Sequence, residues 1–153
     1  MANTYTQIHI QVVFAVKGRE NLIHEDFRER LQAYICGIIS EREQKPLAIY
    51  CMPDHTHLLI GLRPSIALAD LVRDIKAFSS KFINEQKFLK GKFEWQSGYG
   101  AFSYSKSHVP AVINYILKQA EHHRKRSFRE EYLDFLQKFE VEYDEKYLFD
   151  FLD

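Results

Sequence analysis

Two histidines one residue apart, His55 and His57, stand inside the apolar stretch L-A-I-Y-C-M-P-D-H-T-H-L-L-I-G-L at residues 47–62. Pro53-Asp54 separates its two apolar runs, and this pair suits a turn because proline presets one backbone angle and aspartate bonds back to the main chain. The stretch reads as a hairpin. Side chains alternate along its second arm, so both imidazoles project from one face while Thr56 and Leu58 take the other. A buried imidazole needs a partner, since an uncompensated polar group is costly in apolar surroundings. A metal ion, a carboxylate or water would serve, and satisfied core histidines would show the same short pattern. Downstream, Tyr115 and Gln119 fall four residues apart, a spacing that puts a phenol and an amide on one helix face.

The elements that must position these groups follow from hydrophobic period and punctuation. Residues 5–16 alternate and then turn continuously apolar, as in a strand covered on both faces at one end. Lys17-Gly18-Arg19 interrupts the pattern, and Glu25 and Asp26 open a helix whose stripe of Phe27, Leu31, Tyr34, Ile35 and Ile38 runs to about Glu43. After the hairpin, Ser65 is the expected N-cap of a second helix ending near Gln86, with Leu68, Leu71, Val72, Ile75, Phe78 and Phe82 as its packing stripe. Residues 93–105 are strand-like and aromatic, bent around Gly98 and Gly100. A third helix starts at Ser107-His108-Val109-Pro110 and buries Val112, Ile113, Ile116 and Leu117. Its end is basic, through Lys118, His122, His123, Arg124, Lys125 and Arg126. Residues 128–139 form a further amphipathic helix with an acidic exterior, followed by a tail whose aromatics dock on the body.

This order predicts an α+β fold, an antiparallel sheet covered by helices in the ferredoxin-like split βαβ arrangement, with a C-terminal helical extension. Residues 1–126 would form the principal domain, and 127–153 an acidic tail packed on it. The chain has 153 residues, 46% of them hydrophobic, enough for one cored domain. No apolar run reaches the roughly 20 residues needed to cross a bilayer, and the start M-A-N-T-Y-T-Q lacks signal-peptide features, so a cytoplasmic protein is expected. Cys36 and Cys51 are too few for a disulfide framework; Cys51 is a zinc-ligand candidate across the hairpin turn. Bases and acids balance at 21 each, yet residues 130–153 carry nine acids against two lysines, leaving the rest of the chain at net +7. A basic body can face phosphates, although ordinary solvated charge reads the same way.

P-D-H-T-H-L-L on the hairpin, W-Q-S-G-Y-G-A-F before the third helix and N-Y-I-L-K-Q within it together resemble the single-tyrosine HUH transposases of the insertion sequence 200/605 type. The REP-associated tyrosine transposases are a related branch. The likeness extends over nearly the whole domain and includes E-Y-D-E-K-Y-L in the tail. It implies that His55 and His57 are metal ligands, Gln119 the third ligand, and Tyr115 the nucleophile. Thr56, where the family typically has an apolar residue, faces away from the metal. The cofactor implied is a divalent ion, Mg2+ or Mn2+, acting as a Lewis acid while Tyr115 attacks the scissile phosphate and becomes a 5′-phosphotyrosine. The resemblance also implies single-stranded DNA with hairpin ends as partner, and a homodimer with composite active sites. Lys76, Lys81, Lys118 and Arg124 are candidate phosphate contacts, and Trp95 a candidate base-stacking surface. Two other readings stay open: a non-catalytic ferredoxin-like nucleic-acid-binding domain, and a metal-dependent phosphodiester hydrolase without a covalent step.

Overall fold

Four strands make one antiparallel sheet in the order β2–β3–β1–β4. They are β1 (His9–Ala15), β2 (Lys45–Cys51), β3 (His55–Gly61) and β4 (Gly100–Tyr104). The computed structural model describes residues 3–123 and 125–149. Among the described residues five helices accompany the sheet: α1 (Glu25–Glu41), α2 (Leu68–Glu85), α3 (Val109–Leu117), α4 (Gln119–His122) and α5 (Phe128–Lys138). The order and pairing are those of the ferredoxin-like α+β fold.

β1 lies between β3 and β4 and is buried from Gln11 to Ala15, which accounts for its continuous apolar run. Val12, Phe14, Leu58 and Ile60 pack on one side against the stripes of α1 and α2. Val13, Ala15 and Phe102 face the other side, where Phe128, Tyr132, Phe135 and Leu136 of α5 cover them. Leu59, Val112 and Ile116 extend that second layer under α3. Each large apolar side chain so buried contributes roughly 1.5–3 kcal/mol. α5 is held at its start by Ser127, whose Oγ accepts from the Glu130 amide at 3.1 Å and donates to the Glu130 carboxylate at 3.3 Å, a reciprocal N-terminal cap. In the tail, Phe149 packs with Phe128 and Tyr132, whereas Tyr143 and Tyr147 are exposed. Only part of the expected aromatic docking occurs.

Several local expectations change. Phe78 and Leu117, expected on buried stripes, are exposed. Ser65 does not cap α2: the N-cap is Ala67, and Ser65 Oγ accepts from Gln44 Nε2 at 3.2 Å. Ser107 does not cap α3 either, because a short 3-10 turn over Lys106–His108 precedes that helix and Ser107 Oγ pairs with Ser105 Oγ at 2.9 Å. The third helix is also not continuous. Lys118 leaves helical geometry at φ −104°, ψ 25°, and its amide is shared between Asn114 O at 3.1 Å and Tyr115 O at 3.3 Å, the tightening common at helix ends. Gln119 therefore opens α4 and is fully buried. No helix among the described residues is long and apolar enough to cross a membrane.

Candidate active site

β3 pairs with β1 so that His55 lies opposite Ala15 and His57 opposite Val13, which turns both rings toward the layer made by α3–α5. His55 is 1% exposed and His57 is completely buried. The ring of His55 stacks on Phe128 with centroids 3.8 Å apart, and burial pulls its pKa down to about 4 against the opposing pull of the Asp54 hydrogen bond. The ring is neutral near pH 7. His55 Nδ1 is 2.7 Å from Asp54 Oδ1, so Nδ1 carries the proton and donates, leaving Nε2 bare. That Nε2 is buried and makes no hydrogen bond.

Facing the pair is a residue from α5. Glu131 is 1% exposed, and its Oε1 lies 2.9 Å from His57 Nε2, 3.1 Å from His123 Nε2 and 3.8 Å from His55 Nε2. Its other oxygen, Oε2, accepts the hydrogen bond of the Tyr115 hydroxyl. Burial alone would raise the Glu131 carboxyl, but the charge and hydrogen bonds of His57 and His123 outweigh it and hold the group far below the ordinary carboxylate range. Tyr115 is pushed the opposite way, above the ordinary phenol range, by burial and then by the Glu131 carboxylate; Arg126 Nη2, donating to the phenol oxygen at 3.3 Å, works against the rise. Gln119 Oε1 lies 3.0 Å from His123 Nε2. Behind the histidines, Tyr104 donates to Gln11 Oε1 at 3.0 Å, and the Gln11 amide is 3.0 Å from His57 Nδ1. A cavity of about 210 Å3 beside the phenol is lined by Tyr104, His108, Tyr115, Arg126 and Lys138.

Tyr115, His55, His57 and Gln119 thus share one cluster within a single chain, Gln119 reaching it through His123. Sequence reasoning passed over His123, Glu131, Asp54, Gln11 and Arg126. Two of them left a trace: His123 follows Tyr115 and Gln119 at the same four-residue step, and Glu131 falls between Phe128 and Phe135 on the apolar stripe of α5. The nucleic-acid candidates scatter. Trp95 is in the core, its ring edge-on to Phe14 and Phe93 at 4.7 and 4.9 Å and its Nε1 donating to Ser79 Oγ at 2.9 Å. Its faces are covered, which removes it as a stacking surface. Lys76 is half-buried, and its Nζ donates to the carbonyls of Gln96 at 2.7 Å and Gly98 at 2.5 Å, so it clamps the chain entering β4. Lys81 is exposed 3.7 Å from Glu85, Lys118 is exposed at the break between α3 and α4, and Arg124 lies outside the described residues. Cys51 packs in the core under α1 and α2, away from the histidines, with burial pushing its thiol up to about 12.

A family model described as "Transposase IS200 like" matches residues 4–119. The chain belongs to the IS200-like transposase family. Among curated proteins, the chain is 23% identical over 118 residues to the ISDra2 transposase TnpA of Deinococcus radiodurans, a match that spans 74% of this chain and 84% of the relative. Among solved structures, a candidate transposase of Deinococcus radiodurans R1 superimposes with a TM-score of 0.63 at 22% identity, covering 78% of this chain and 95% of that one. A REP-associated tyrosine transposase bound to a REP hairpin superimposes with a TM-score of 0.59 at 16% identity, covering 80% and 73%. At these identities the two structures establish the fold. The family match ends at Gln119, so His123, Arg126 and Glu131 lie beyond it.

Proposed function

We propose that this IS200-like transposase cleaves and rejoins single-stranded DNA through a phosphotyrosine formed on Tyr115. The observation that carries the reading is the meeting, in one chain, of the Tyr115 hydroxyl with a buried carboxylate that three imidazoles surround. His55 fits a metal ligand: Asp54 fixes its tautomer and leaves a buried, bare Nε2 that makes no hydrogen bond. His57 is the second ligand and Gln119 the third, for Mg2+ or Mn2+. When bound, the cation supplies Lewis acidity toward the scissile phosphate.

The chain's own groups do the rest. Glu131 Oε2 holds the phenol hydrogen and orients the hydroxyl, and the proton passes to solvent as Tyr115 attacks phosphorus. The new Tyr–O–P bond replaces the P–O3′ bond, and the departing 3′ oxygen leaves as a hydroxyl after protonation from solvent. Arg126, at the phenol oxygen, and Lys138, in the adjoining cavity, offset the negative charge of the phosphate. A later 3′-hydroxyl reverses the exchange on another strand with no nucleotide consumed. Hairpin-bearing DNA is the substrate proposed, in line with the REP hairpin carried by the structural relative. Because the phenol meets its partners within one chain, a composite site shared between two subunits is not required to assemble them.

The test is direct. With Mn2+ or Mg2+ and 3′-labelled single-stranded DNA, a protein-linked label is expected on a denaturing gel, absent in Tyr115→Phe. Cleavage without an adduct would identify a hydrolase; binding without cleavage would identify a regulatory domain. Either result overturns the proposal.

A further inference from the structure

We infer that Glu131 and His123 are themselves ligands of the cation, so that three histidines and one carboxylate surround it beside Gln119, two of these groups supplied by a segment beyond the family match. This deepens the reading of the pocket as a cation site and rests on it. Four observations converge. The ligand atoms of His55, His57, His123 and Glu131 all lie within 4.8 Å of one another, the spread expected of groups around one ion. Glu131 is essentially buried, and its Oε1 points at all three imidazoles. The bare Nε2 of His55 is buried, makes no hydrogen bond and lies 3.8 Å from Glu131 Oε1. Gln119 Oε1 sits against His123 Nε2 at 3.0 Å, which makes the amide a neighbour of the fourth ligand as well as a candidate ligand.

Charge supports the assignment. Among the described ion pairs, those of Glu131 are all with histidines, and an imidazole nitrogen binds a metal only when it carries no proton. A divalent cation among the four groups satisfies the carboxylate and the bare imidazole nitrogen together. The two Glu131 oxygens then divide the work, Oε1 toward the ion and Oε2 toward the Tyr115 hydroxyl. The donor set also has a preference. Mg2+ favours oxygen ligands and retained water, whereas imidazoles suit later divalent metals. Mn2+, Co2+ or Zn2+ should therefore bind more tightly than Mg2+.

The experiment is read without DNA. Free Mn2+ is followed by electron paramagnetic resonance as the full chain is titrated near neutral pH, for the wild type, Glu131→Gln, His123→Gln and His55→Ala. Glu131→Gln and His123→Gln should each weaken Mn2+ by about 10- to 100-fold or more, a range reached even by outer-shell changes. If both bind within about threefold of wild type while His55→Ala loses the metal, the larger ligand set is wrong and the proposed function stands. If the wild type binds no divalent metal, both fall. Should a variant fail to fold, the unaltered chain still decides: on Zn2+ addition, the Nε2 resonances of His55, His57 and His123 should all shift in nitrogen NMR. An unmoved His123 overturns the inference.

Discussion

Tyr115 and Glu131, sixteen positions apart, meet through the phenol hydroxyl and the carboxylate Oε2 at the edge of a buried histidine cluster. The pair joins the nucleophile proposed for α3 to a carboxylate that α5 carries into the core. Removing the hydroxyl separates chemistry from architecture. Tyr115→Phe should abolish the DNA adduct while leaving the circular dichroism spectrum intact. It should also lower stability in urea by about 1–3 kcal/mol, because a buried acceptor loses its donor. Adduct formation by this variant would move the nucleophile elsewhere.

Asp54 acts on the cluster through His55. Its Oδ1, 2.7 Å from Nδ1, holds the ring in the tautomer with a bare Nε2. Asp54→Asn weakens that control, and Mn2+ affinity should fall about 10- to 100-fold, the usual cost of an outer-shell change. Calorimetric titration with Mn2+ checks this, and wild-type affinity would show that the tautomer needs no fixing.

Packing of α5 on the sheet can be tested at Gly100. A Cβ there would come within 2.6 Å of the Tyr132 hydroxyl and 2.8 Å of its ring, so Gly100→Ala should destabilise by about 1–3 kcal/mol through overpacking. Combined with Tyr132→Ala, the substitution at 100 should cost less than it does alone. Additive effects in a double-mutant cycle of urea midpoints would show that the two do not touch in solution.

Lys76 provides a pH signature. Burial lowers its pKa from 10.5 to about 8, so between these values the unfolded chain binds more protons than the folded one. Stability contributed by this group therefore rises as pH rises from about 8 to 10.5. Relative to Lys76→Met, the wild type should gain stability across that window and not below it. Parallel curves for the two proteins in denaturant titrations would exclude the shift.

Much of this architecture can be read from local pattern. Alternation at residues 8–12, the Pro53-Asp54 turn and the stripes of α1 and α2 each report a single element burying one face, and the order of those elements leads to the observed sheet. Ser65 and Ser107 match the cap pattern but do not cap, because either hydroxyl has a nearby competitor, Gln44 in one case and Ser105 in the other. Composition likewise places Glu131 among nine acids of the tail and takes it for solvated surface, although its position between Phe128 and Phe135 lies on the buried stripe.

The sequence alone determined the α+β class, the strand bearing His55 and His57 on one face, and the four-residue step from Tyr115 to Gln119. Only the tertiary structure decided that His123 and Glu131 join them, that Trp95 is core, and that Tyr115 reaches the cluster within its own chain. The physical reason is that periodicity records which face of an element avoids water, but not what that face meets. Val13, Ala15 and Phe102 draw α5 onto the sheet, and that docking turns one carboxylate away from solvent and toward the histidines.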